Sequence, residues 1–242
     1  MKNHLKRIAS PKTWFINRKQ NVFILRPNAG GHPLEQGMAL GVILRDFLKL
    51  ASTMHEIHGL LQLKEVLVDG KRQKDHRSMV GLFDVIAIPE LKSYNRLVFD
   101  QKGRIIVIEI PVSESNMKIS KIVNKSALSG GKIQFNLYDG KNIISTQKAK
   151  VGDSLVLNLS KLEIKKVLPL QVGVSVFLTK GKYAGSMGIL KEIKGTQATY
   201  HSNGKDVETA KEYLFVVGEK KPEMHISAEK SSEKNKEKAL NV

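Results

Sequence analysis

From residue 95 to residue 200 the chain reads as short apolar runs punctuated by glycine turns, and this pattern limits the fold more than any other feature. The runs are Leu97 to Phe99, Ile105 to Ile110, Lys132 to Tyr138, Ser154 to Leu159, Ser175 to Leu178, Met187 to Ile193 and Thr196 to Tyr200. Between or after them stand Gln101-Lys102-Gly103, Asp139-Gly140, Val151-Gly152-Asp153 and Ser202-Asn203-Gly204. Strand-length segments separated by turn residues predict β-barrel-like modules rather than a parallel sheet wound with helices.

Upstream the period changes. Val42, Ile43, Phe47, Leu50 and Ala51 fall near one face of a helix, with Arg45 and Lys49 four apart beside it. Met54, Ile57, Leu60 and Leu61 form a second such face, with Ser52 or Thr53 as N-cap and Glu56 placed for a capping box. Val66-Leu67-Val68-Asp69-Gly70-Lys71 predicts a strand entering a tight turn, and Asp84 to Ile88 a second strand. The fold class is therefore α+β: a helix-helix-hairpin module over residues 42–104, a central β domain over 105–169 and a small β-barrel over 170–217. Residues 218–242, rich in Lys, Glu and Ser, have too little apolar surface to fold and are expected to be disordered.

The opening obeys neither period. Its first 34 residues carry seven Lys or Arg and no acid, with Trp14, Phe15 and Phe23 interleaved. Residues 1–41 are read as a basic extended arm and loop that needs an anionic surface to settle on. The five segments carry +6, +3, +5, +2 and +1 in chain order, within a total of +17, so cationic character coats the whole molecule.

Nucleic acid fits this balance better than a membrane, for there is no amphipathic basic helix and no lipidation motif. Ile105 to Val112, the longest apolar stretch, is interrupted by Glu109 and is too short to span a bilayer. No apolar run follows the charged start, and there is no cysteine, so neither a secretory signal nor a disulfide framework nor a Cys-ligated zinc is expected. The reading is of a cytoplasmic protein without a metal or cofactor.

The candidate contacts to a polyanion are Lys6, Arg7, Lys12, Arg18, Lys19 and Arg26 in the arm. Arg45 and Lys49 follow on the first helix, and Lys71, Arg72, Lys74, His76 and Arg77 cluster after the first strand. Arginine holds a phosphate with a two-pronged fork, and lysine supplies a mobile point charge. The string Gly181-Lys182-Tyr183-Ala184-Gly185-Ser186-Met187-Gly188 adds Lys180, Lys182 and Tyr183. Its glycines suit either close approach by a ribose-phosphate backbone or a structural turn. Trp14 and Phe15 are assigned to stacking on a base or sugar, Trp14 being counted with the RNA-binding candidates, and packing into a hydrophobic notch is the alternative.

Other strings are set aside. His55-Glu56-Ile57-His58 has its histidines three apart, where a zincin helix needs four. Asp69, Asp139 and Asp153 sit beside glycine in turns, which explains them without catalysis. There is no Walker string and no nucleophile elbow, so no catalytic residues and no small-molecule substrate are expected.

Blocks spread along the chain then give a resemblance. They include His4-Leu5-Lys6-Arg7, Pro11-Lys12 with Trp14, Arg18-Lys19, Gly31-His32 and Leu44-Arg45-Asp46-Phe47-Leu48. Next come Val68-Asp69-Gly70-Lys71, Gly81-Leu82-Phe83-Asp84-Val85, Gly130-Gly131-Lys132-Ile133-Gln134 and Leu137-Tyr138-Asp139-Gly140-Lys141-Asn142. Gly152-Asp153 and Tyr213-Leu214-Phe215-Val216-Val217-Gly218 complete the set. In this order they resemble the archaeal and eukaryotic small-subunit ribosomal protein family "S-four-e". The chain departs from that pattern at Met54-His55-Glu56-Ile57-His58, where relatives begin Glu-Ala-Lys. It departs again at Phe15, where proline is usual, and at Ala29-Gly30-Gly31, where Pro-Gly-Pro is usual.

The resemblance implies an RNA-binding helix-hairpin domain, a family-specific central domain and a barrel of the KOW type. It implies small-subunit ribosomal RNA and neighbouring ribosomal proteins as partners, a place in the cytoplasmic ribosome, and no enzymatic activity. The alternative is an RNA-modifying enzyme or a free-standing RNA-binding factor using the same helix-hairpin module.

Overall fold

Among the described residues the paired strands run antiparallel, with one isolated parallel bridge between Trp14 and Ile105, and three five-stranded sheets dominate the architecture. The structure is a computed structural model and describes residues 4–202 and 204–226. In the arm, β1 (His4–Lys6) pairs with β2 (Phe23–Leu25), and further on β3 (Gly37–Ala39) leads into α1 (Leu40–Val42) and a π-helical turn (Ile43–Phe47). Helix α2 (Met54–Leu63) follows, then β4 (Leu67–Val68), β5 (Lys71–Arg72) and β6 (Met79–Gly81), the last paired with β3. With β7 (Val85–Ile88), β8 (Ser93–Phe99) and β9 (Ile105–Glu109) the first large sheet has the order β5-β4-β7-β8-β9.

The central sheet comprises β10 (Met117–Ala127), β11 (Ile133–Leu137), β12 (Asn142–Ser145), β13 (Ser154–Asn158) and β14 (Glu163–Leu168), ordered β12-β11-β10-β13-β14. The third comprises β15 (Ser175–Leu178), β16 (Met187–Lys194), β17 (Gln197–Ser202), β18 (Lys205–Ala210) and β19 (Leu214–Gly218), ordered β18-β17-β16-β15-β19. Phe83 joins the first and third, its ring 5.3 Å from Phe177 and 4.8 Å from Phe215. Tyr138 of the central unit meets Phe215 edge-on at 6.1 Å. One apolar core runs from Trp14 to Ile226, and a smaller one built on Phe135 lies within the central unit.

Local sequence explains several elements directly. Thr53 accepts the Glu56 amide at 3.2 Å while the Glu56 carboxylate accepts the Thr53 amide, closing the capping box that starts α2. Asp69 and Gly70 take φ of 51° and 76°, the paired left-handed conformation of a two-residue hairpin turn.

Four expectations need correction. The first helix spans residues 40–47 and stops there, with the Leu48 amide bonded to the Ile43 carbonyl at 2.9 Å. Lys49, at φ 53°, therefore lies beyond the helix and not beside Arg45. Strand β9, placed by sequence in the central module, pairs with β8 and completes the first sheet.

The arm is not an independent extended segment. Trp14 is 2% exposed, its indole N–H donates to the Leu34 and Gly37 carbonyls at 3.2 and 3.0 Å, and the Ile105 amide donates to the Thr13 carbonyl at 2.7 Å. Burying one indole outweighs the lack of regular periodicity in a segment of turns and three-residue strands. Residues 219–226 are likewise ordered: Met224 and Ile226 are buried, and Arg96, itself fully buried, donates to the His225 carbonyl at 3.1 Å. The rest of the expected disordered tail, residues 227–242, lies outside the described residues.

One buried charge cluster joins these units. Lys118 of β10 is 1% exposed, and its ammonium lies 2.6 Å from Asp69 and 2.7 Å from Asp139, with Asp84 in direct contact. Asp69 belongs to the β4–β5 turn, Asp84 precedes β7, and Asp139 turns β11 into β12. Burial alone would lower the Lys118 pKa, but the three carboxylates raise it well above the usual lysine range. Burial would raise Asp84 and Asp139, yet Lys118 holds both below the usual carboxylate range.

Lys118→Met should therefore destabilise the protein by about 3–5 kcal/mol at neutral pH, read from the urea midpoint, because it strands buried carboxylates. With folded carboxylate pKa values below the unfolded value of about 3.9, the wild-type contribution is complete above that pH and is lost as pH falls through the folded values. In Lys118→Met the carboxylates lose their main counter-charge, so its deficit should shrink on acidification. A deficit independent of pH would contradict the ionic origin.

Candidate nucleic-acid interface

The structure divides the sequence-predicted cations into those that build the protein and those that face outward. Arg7 is buried, 3.7 Å from Asp46, and the half-buried Arg45 grips both oxygens of the same carboxylate at 2.6 and 3.0 Å. The Asp46 hydrogen bond is the main cause that raises the Arg45 pKa. Arg18 donates to the carbonyls of Ser10 and Pro11 at 2.8 and 2.7 Å, and more distantly to those of Arg7 and Ile8. These three guanidiniums tie the arm together and fasten it to the first helix. Trp14, wholly enclosed, has no face to offer a base, so the hydrophobic-notch alternative holds for it. The adjoining Phe15 is exposed.

Lys6, Lys12, Lys19, Arg26, Lys49, Lys71, Arg72 and Lys74 are exposed, and Arg77 is half-buried. Hydrogen bonds bring the end of the arm against the loop after β5. Arg77 Nε donates to the Arg26 carbonyl at 3.1 Å, the Asn28 amide donates to the Arg77 carbonyl at 2.8 Å, and Asn28 Nδ2 donates to Asp75 at 2.7 Å. Helix α2 joins the same surface, since Arg72 donates to the Gln62 carbonyl at 3.3 Å and the His58 and His76 rings lie 5.9 Å apart. Residues distant in sequence thus form one cationic face, on which Asp75, the acid of the loop after β5, is engaged by Asn28 and by the Arg77 amide at 2.8 Å.

The glycine string resolves toward its structural reading. A β-carbon on Gly185, at φ 87°, would sit 1.8 Å from the Asp100 carbonyl oxygen, and one on Gly188 would sit 2.2 Å from that of His201. The close approach is therefore to the protein's own backbone. Lys180, Lys182 and Tyr183 remain exposed at the rim.

Sequence reasoning missed two features. The β10–β11 hairpin exposes every residue from Val123 to Lys132, and no acid occurs between Glu114 and Asp139. That acid-free run was the available signal. The second is the cluster of Asp69, Asp84 and Asp139, whose ligand-type oxygens lie within 4.8 Å of one another. A divalent cation could use that spacing, but the Lys118 ammonium occupies it. Turn geometry explains where Asp69 and Asp139 stand, not what their carboxylates do. Asp153, by contrast, is fully used locally, accepting the Lys150 and Leu170 amides at 2.7 and 2.9 Å.

Cations displayed over several sheets, on a scaffold whose buried acids serve as internal anchors, are the features of a polyanion-binding protein. Residues 1–35 match the model of the RS4NT (NUC023) domain, and residues 91–164 that of ribosomal family S4e. The chain is 42% identical over 226 residues to small ribosomal subunit protein eS4 of Methanocella arvoryzae, covering 91% of this chain and 96% of that one. It is 39% identical over 223 residues to eS4 of Archaeoglobus fulgidus, covering 90% and 94%. The crystal structure of 30S ribosomal protein S4e from Thermoplasma acidophilum superimposes with a TM-score of 0.65 at 28% identity, over 76% of this chain and 95% of that one. The chain belongs to the S4e family of ribosomal proteins, the eS4 proteins of the small subunit. This is a structural family and not a family of enzymes.

Because Trp14 is the sole tryptophan, its emission reports directly on the arm. Iodide should quench it weakly in the RNA-free protein, and added RNA should change the quenching little. Quenching as strong as that of free indole would show an undocked arm.

Proposed function

We propose that this protein is a structural constituent of the small ribosomal subunit that binds and stabilises folded ribosomal RNA and thereby supports translation. The observation that carries the reading is the cationic face assembled from the arm, α2 and the loop after β5, held in place by contacts internal to the protein. Family membership supplies the particle. On this reading the protein works in the ribosome, in the cytoplasm, among neighbouring ribosomal proteins. Among the described residues no helix is long and apolar enough to cross a membrane. The alternative of an RNA-modifying enzyme is not favoured, because the relatives are structural proteins.

The units have separable roles in this proposal. The arm and the module of β4 to β9 with its two helices present Lys6, Lys12, Lys19, Arg26, Lys71, Arg72, Lys74 and Arg77 to phosphates, acting as the helix-hairpin RNA-binding domain. The central sheet extends its acid-free hairpin, with Lys125 and Lys132 exposed, toward the same polyanion. The sheet of β15 to β19 serves as the KOW-type barrel, contributing Lys180, Lys182 and Tyr183. Each phosphate neutralised releases condensed counterions, so affinity falls steeply with salt. A scaffold folded before binding incurs less ordering cost when the RNA docks.

Replacing Lys71, Arg72 and Lys74 together by alanine should lower the slope of log affinity against log salt by about 2–3, at roughly 0.7–0.9 per phosphate contact. An unchanged slope would remove this loop from the interface. In a sucrose gradient the intact protein should co-migrate with small subunits at high salt. Release to the top of the gradient while the subunits stay intact would overturn the ribosomal assignment.

A further inference from the structure

Two exposed aromatic rings, each with a cation against it, stand on segments that touch one short turn of the first sheet. Phe15 is 58% exposed, and the guanidinium of Arg104 lies 4.5 Å from its ring centre. Tyr183 is 46% exposed, with the Lys182 ammonium 5.7 Å from its ring centre. The turn joining β8 to β9 touches both groups. A β-carbon on Gly103 would be 3.3 Å from that of Ala184, and Gly185 is pressed against the Asp100 carbonyl. The loop bearing Tyr183 is thus seated on the turn whose Arg104 meets Phe15.

The chemistry of this patch differs from that of the face around Arg77. The protein buries Trp14, the immediate neighbour of Phe15, but leaves Phe15 and Tyr183 in solvent, so packing of its own core does not account for them. Asp100 grips Arg104 at 2.6 and 3.2 Å, which fixes the guanidinium plane and cancels the one carboxylate of the turn. Lys102 of the turn and Lys182 of the loop are exposed, leaving a cationic surround. Flat rings with adjacent cations suit a base on the ring and a phosphate beside it. Bases inside a duplex have no free face, whereas those of a bulge, loop or single strand do.

We propose that Phe15 with Arg104, and Tyr183 with Lys182, form a stacking site for unpaired nucleotides, separate from the cationic face that meets phosphates. This inference rests on the RNA-binding reading above.

The test compares the full chain with Phe15→Leu, Tyr183→Leu and the double variant. Each is titrated with an RNA duplex and with an oligoadenylate of about 12 nucleotides carrying 2-aminopurine. Each single variant should weaken single-strand binding by about fivefold or more, from the loss of one stacked base, and the double variant further. Duplex affinity, its salt slope and the thermal midpoint should stay at the parent values, since both rings are exposed. A double variant that binds the single strand like the parent would overturn the site. An equal loss for both RNAs would overturn it too, by assigning the rings to the fold. A parent that binds neither RNA would instead sink the RNA-binding reading on which the site rests.

Discussion

The placement of Lys118 among Asp69, Asp84 and Asp139 is the constraint on which the remaining architecture depends. An ammonium removed from water loses several kcal/mol of solvation, and so does each carboxylate, so the cluster exists only because its members reach one point. They come from the β4–β5 turn, the approach to β7, strand β10 and the β11–β12 turn. The cluster also recruits its surroundings. Lys141 lies 2.6 Å from Asp69, and His32 lies 3.2 Å from Asp84. A β-carbon on Gly31 would sit 2.0 Å from the Asp139 carbonyl oxygen, so the arm's loop seats directly on the same turn. One buried lysine therefore sets the relation of arm, first sheet and central sheet.

A division of labour among cations follows. The formal charge of +17 invites the view that the excess faces RNA, but part of it is internal. Lys118 is the hub, Arg7 and Arg18 bind the arm, and Arg96 pins the Glu114 side chain and the segment leading to Ile226. Lys121 is pushed down to about 8 by burial and donates to the Glu212 and Leu214 carbonyls at 2.7 and 2.8 Å, tying the central sheet to the third. The cations left outside are held on a framework that these inner ones stiffen. In this account the surface is arranged before RNA arrives.

How much of this was legible depended on whether the determining contact is local. The capping box at Thr53 and Glu56 and the turn at Asp69-Gly70 are written within a few residues, and both read correctly. Strand β10 did not, because the alternation of Met117, Lys118, Ile119 and Ser120 fails at Lys121, and the burial of polar Lys118 and Ser120 depends on partners far along the chain. Trp14 was ambiguous for the same reason: the carbonyls of Leu34 and Gly37 that receive its indole can be identified only once the chain is folded. The segment from Glu219 to Ile226 looked like a charged tail because two buried apolar side chains count little against its composition. The candidate cations were legible as residue types, whereas their separation into anchors and surface groups was not.

Hydrogen exchange on the RNA-free protein tests the central claim, that arm, first sheet and central sheet form one cooperative unit. The informative amides are those of Trp14, Val85 and Ile122, bonded to the Pro11 carbonyl, the Asp69 carboxylate and the Asp153 carbonyl. The account predicts that all three open with one free energy, equal to that of global unfolding. A Trp14 amide that exchanges like unfolded chain while Val85 and Ile122 stay protected would contradict it.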